Sequence, residues 1–77
     1  MDKEKVYKEI QKLELPEDKL YIKSVSNPVE VIGSFIEFES RKKNIIIETV
    51  DGLEVTIDFA DIVEIRAILS DNTGDNF

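Results

Sequence analysis

The 77-residue chain has no cysteine and no histidine, and only three glycines and two prolines. Without cysteine there is no disulfide framework, no thiolate nucleophile and no Cys-ligated zinc or iron–sulfur site. Without histidine the commonest general base and the commonest transition-metal ligand are gone. No apolar run approaches the roughly 18 residues of a membrane-spanning helix. The opening stretch, MDKEKVYKEIQKLEL, is charged throughout and has no signal-peptide core. The expected compartment is therefore the cytoplasm, and neither a cofactor nor a metal is expected.

Hydrophobic residues make up 42% of the chain, an ordinary globular share, so the length supports one domain with one modest core. The net charge is −7. Residues 1–19 carry six acids and five bases, residues 20–69 nine acids and five bases, and residues 70–77 two acids. The acidity thus sits mostly on the central region and the tail, and it repels a phosphate backbone.

Val6, Ile10 and Leu13 recur at helical spacing, which predicts an amphipathic helix over Asp2–Glu14 within a 1–15 cover segment, ended by Pro16. Such a short helix needs a surface to dock on. The region 20–69 reads as five strands. Leu20–Val25 is the first, followed by a Ser26-Asn27-Pro28 break. Val29–Glu39 is the second and is apolar at both parities around Gly33, which marks a bulge, a bend or a close backbone approach. Asn44–Val50 is the third, after the polar turn Ser40–Lys43. Asp51-Gly52 predicts a tight hairpin with both residues at positive φ. Leu53–Phe59 alternates strictly, Ala60-Asp61 makes a corner, and Ile62–Leu69 is the fifth strand. Residues 70–77, SDNTGDNF, read as a flexible acidic tail.

The expected class is mainly β (α+β): an N-terminal helix followed by a five-stranded, strongly bent SH3-like or Sm-like small barrel. Its third strand should face the barrel on one side and the helix on the other. An OB-fold places a helix between strands three and four, where only Asp51-Gly52 stands here.

Gly33, Phe35, Phe38, Glu39 and Asn44 resemble the first motif of the Sm-like family, which implies the barrel. That family's second motif has Ile-Arg-Gly at the end of strand four. Here the matching place is Ile57-Asp58-Phe59, so the resemblance does not carry an RNA site. The chain also resembles the YolD-like family of small bacterial and phage proteins over about residues 3–66. Gly33, Asn44-Ile45-Ile46-Ile47 and Phe59-Ala60-Asp61-Ile62-Val63-Glu64-Ile65 carry that likeness. Members are often encoded beside translesion DNA polymerases, which implies an accessory or regulatory role and no catalytic residues.

The candidate partner-binding residues are Glu37, Glu39, Arg41, Lys42, Lys43, Asp58 and Glu64. The strand acids, Glu48 and Glu54 among them, share an acidic face in this reading, but no EF-hand spacing accompanies them. Phe35, Phe38 and Phe59 fall on apolar runs and read as core, so no stacking platform for nucleic acid is expected. The expected function is a non-enzymatic accessory or regulatory interaction module with a basic-surfaced protein partner. It would bind neither nucleic acid nor membrane, and an unpaired strand edge would favour a homodimer. The alternative is an inhibitor that offers carboxylates in place of DNA phosphates. An Sm-like RNA binder stands behind both.

Overall fold

The β-branched and alternating runs of the central region do form five strands, and the apolar stripe of the first segment does form a helix. The computed structural model describes residues 1–26 and 29–70, so the expectations for Asn27-Pro28 and for the 71–77 tail lie outside the described residues. Helix α1 is Lys3–Gln11. The strands are β1 (Lys19–Ser24), β2 (Glu30–Glu39), β3 (Asn44–Thr49), β4 (Glu54–Asp58) and β5 (Ile62–Ile68), with a 3₁₀ corner Phe59–Asp61 before β5. All neighbours pair antiparallel in one sheet of order β4-β3-β2-β1-β5. No helix among the described residues is long and apolar enough to cross a membrane.

β2 serves both halves of the sheet. Its first part pairs with β1 as far as Leu20↔Gly33, and its second part pairs with β3 from Gly33↔Thr49 onward. Gly33 is therefore the point where the two pairings meet. A Cβ at this position would lie 2.5 Å from the Glu48 carbonyl oxygen, so the glycine permits a close backbone approach. Of the three readings of Gly33, the close backbone approach is the one seen there, and the bulge lies further on. The β2–β3 register shifts between Phe35 and Glu37, leaving Ile36 as the extra residue. A second shift, where Lys23↔Glu64 is followed by Ser24↔Ile62, leaves Val63 extra on β5. Each bulge changes the parity of its strand. Phe35 and Phe38 therefore both pack on the core, and Ile62 and Ile65 are both buried. The mixed parity read from the sequence comes from these bulges, and Ile32 and Ile36 stay about half exposed.

The sheet does not close into a barrel, because β4 and β5 remain its two edges. Helix α1 takes the seam between them. Val6 is fully buried in the same cluster as Leu20, Ile22, Ile45 and Ile47. The Met1 amino group donates to the Phe59 carbonyl (2.8 Å), and the Ala67 N–H of β5 donates to Glu9 Oε1 (3.0 Å). The helix thus completes the inner core, and does not lie on the outer side of β3 as the sequence suggested. It starts at the Asp2 N-cap, whose carboxylate accepts from Lys5 N–H (3.0 Å), and ends at Gln11, short of the expected Glu14. Residues 50–53 connect β3 to β4, and of the expected pair Asp51-Gly52 only Gly52 has positive φ (86°), with Gly52 N–H donating to the Thr49 carbonyl.

A buried carboxylate fixes the segment after the helix. Asp18 Oδ2 accepts from Glu14 N–H (2.7 Å) and Leu15 N–H (2.9 Å), and Oδ1 accepts from Ser70 N–H (2.6 Å). The Leu15 N–H foremost, with those of Ser70 and Glu14, holds Asp18 below the usual carboxylate range. A depressed folded pKa contributes stability above the unfolded value, about 3.9, and loses it as pH falls through the folded value. Asp18→Asn should therefore lower the denaturation midpoint near neutral pH, and its gap to wild type should narrow below about pH 4. A gap that stays constant across that window would contradict the role given to Asp18.

Candidate acidic interface

The bulge at Ile36 decides where the acids of β2 point. Without the extra residue, Glu37 and Glu39 would share the inward parity of Phe35. With it, Phe38 turns inward and both carboxylates turn out. Cross-strand register then assembles an acidic surface. Glu39 lies opposite Asn44, which lies opposite Asp58; Glu37 lies opposite Ile46, and Glu48 lies opposite Glu54. No Lys or Arg occupies these positions. Glu37, Glu48, Glu54 and Asp58 are exposed, and Glu39 is half-buried.

A side-chain hydrogen bond with Glu39, then the Glu39 charge, then desolvation, push the Glu37 carboxyl above its ordinary value. Lys42 works against this, and Glu54 adds to it. The hairpin tip therefore borders the acidic rows, while Glu54 belongs to them. Asn44 Oδ1 is buried without a hydrogen-bond partner between Glu39 and Asp58. Among the described residues no group of three or more acids is arranged to hold a metal ion.

Of the seven residues chosen from sequence, Glu37, Glu39 and Asp58 come together, with Arg41, Lys42 and Lys43 at the adjoining β2–β3 tip. Lys43 takes positive φ (57°), and its carbonyl accepts from Phe59 N–H (2.8 Å), which ties the tip to the 3₁₀ corner. Glu64 stands apart, on the edge strand opposite to Asp58. It pairs with Arg66 at 2.9 Å, and the Arg66 guanidinium stacks 4.6 Å over the Tyr21 ring. Tyr21 in turn donates to Glu30 (3.0 Å). Glu48 and Glu54 were visible as strand acids. Their place in the surface follows from the pairing across the Asp51-Gly52 hairpin.

Two adjoining clefts were not visible in the sequence, because they depend on how α1 docks. One, of about 740 Å³, lies between the helix start, the hairpin tip and the 3₁₀ corner, lined by residues including Lys3, Lys42, Lys43, Asp58 and Phe59. The other, of about 360 Å³, runs between α1 and the end of β2, over Tyr7 and Phe38. The Tyr7 and Phe38 rings lie 5.4 Å apart, and Phe38 stacks on Phe59 at the same distance.

No family model, curated protein or solved structure matches the chain.

The Glu37–Glu39 pair yields a pH-dependent expectation. A carboxyl whose folded pKa is raised leaves the fold less stable as pH rises from its unfolded value, about 4.3, through the folded one. Glu37→Gln should raise the melting temperature near neutral pH, and the gain should vanish below about pH 4. A variant less stable than wild type at neutral pH would contradict the repulsion.

Proposed function

We propose that this chain is a non-enzymatic protein-interaction module, accessory or regulatory in role, that presents the outer acidic face of β2, β3 and β4 to a protein with a basic surface. The observation that carries it is the adjacency of Glu37, Glu39, Glu48, Glu54 and Asp58 with no base among them. Like charges side by side on a sheet cost stability. A fold that keeps them while Glu37 is pushed upward bears a cost that a binding role would explain. An accessory role is what the YolD-like outline implies. The run of carboxylates without a base also supports the second reading, in which they replace DNA phosphates on a nucleic-acid-binding enzyme. Under either reading the ligand is a protein, since a negative face repels nucleic acid.

The test uses the full chain as bait in an extract of its source cells, beside a variant with Glu37→Gln, Glu39→Gln, Glu54→Gln and Asp58→Asn. The expected result is a protein held by wild type in about 0.15 M salt and lost by the variant, whose melting temperature is no lower. Equal capture by both would overturn the acidic-face reading. A DNA or RNA probe shifted by wild type at submicromolar concentration would favour nucleic acid instead.

A further inference from the structure

The two edges of the sheet are treated differently. On β5 the helix lies alongside, and Glu9 takes the Ala67 N–H. On β4, β3 is the one hydrogen-bonded neighbour among the described residues. Thr49 N–H donates to the Leu53 carbonyl and Phe59 N–H to the Lys43 carbonyl, so odd-numbered residues of this strand turn their backbone groups to β3. Glu54, Thr56 and Asp58 then turn theirs to the open edge, and their side chains lie on the acidic outer face.

We propose that β4 accepts an added strand from the partner protein, five residues long, in which basic residues flank an apolar–polar–apolar centre. This deepens the acidic-face reading and rests on it. The pattern follows from register. Residues opposite Glu54 and Asp58 share their face, where carboxylates call for Lys or Arg. Residues opposite Val55 and Ile57 point inward, beside half-buried Val55 and exposed Leu53. Main-chain bonds to Glu54, Thr56 and Asp58 supply affinity, and the alternating side chains supply specificity. A second β4 is a poor occupant, because antiparallel pairing about Thr56 sets Glu54 of each copy against Asp58 of the other. A β5 strand from another copy has its edge against α1.

The probe is the peptide Lys-Val-Thr-Val-Lys flanked by glycines, titrated into isotope-labelled full chain and followed by NMR. The expected result is saturable shifts of the Glu54, Thr56 and Asp58 amides. Affinity should fall at least tenfold for Glu-Val-Thr-Val-Glu and for the first peptide N-methylated at its threonine. Thr56→Pro should abolish these shifts. Its missing N–H faces the open edge, so the β3–β4 ladder survives. The double variant Glu54→Lys with Asp58→Lys, which needs no proline, should instead prefer the acidic peptide. Shifts confined to the Tyr21–Ile32 side, undiminished binding after N-methylation, or a wild-type dimer that Thr56→Pro makes monomeric would each overturn the proposal. If the captured partner is lost by the four-carboxylate variant but held by Thr56→Pro, strand addition fails and the acidic-face reading stands. If the four-carboxylate variant still holds it, that reading itself fails.

Discussion

The contact between Gly33 and the Glu48 carbonyl is the constraint on which the rest of the molecule depends. At this point β2 passes from one partner strand to the other, and the backbones come closer than any side chain would permit. Coiling about that crossing turns the inner sides of β1 and β3 toward each other, so Leu20, Ile22, Ile45 and Ile47 share one fully buried cluster. Four such aliphatic side chains each contribute roughly 1.5–3 kcal/mol by leaving water. Val6 joins them from the helix, which the coiled sheet accepts along its unclosed side.

The acidic face is a consequence of the same strand. β2 uses its glycine to cross and its Ile36 bulge to change parity, and the bulge sends Glu37 and Glu39 outward while Phe38 reaches Tyr7 and Phe59. Across β3 and β4 the ordinary register then aligns Glu48, Glu54 and Asp58 with them. Burial, coiling and surface charge are thus set together, and a change at the bulge would alter both the core and the interface.

Much of this was legible locally. Helical spacing gave α1, alternation gave β4, and Asp51-Gly52 gave the hairpin, because turn chemistry and periodicity act over a few residues. The bulges were hidden because Ile36, Phe38, Ile62 and Val63 are apolar on either parity, so the sequence does not say which one is spare. Barrel closure was expected and not formed, because a helix docked in the seam depends on contacts such as Met1 with Phe59, which no local pattern reveals. The role of Asp18 has no local signature, because one of its three backbone donors, Ser70, lies far along the chain. Of the site, the acids themselves were legible; that Glu64 belongs to the far edge required the strand order.

The most direct measurement is the equilibrium denaturation of Gly33→Ala. The added methyl meets main-chain atoms of β3, which cannot swing aside as a side chain would. If the crossing at Gly33 organises the fold, the variant should lose about 1–3 kcal/mol or more, the range for forced overpacking. A midpoint unchanged from wild type would show that β2 crosses with room to spare, and that the coiling has another origin.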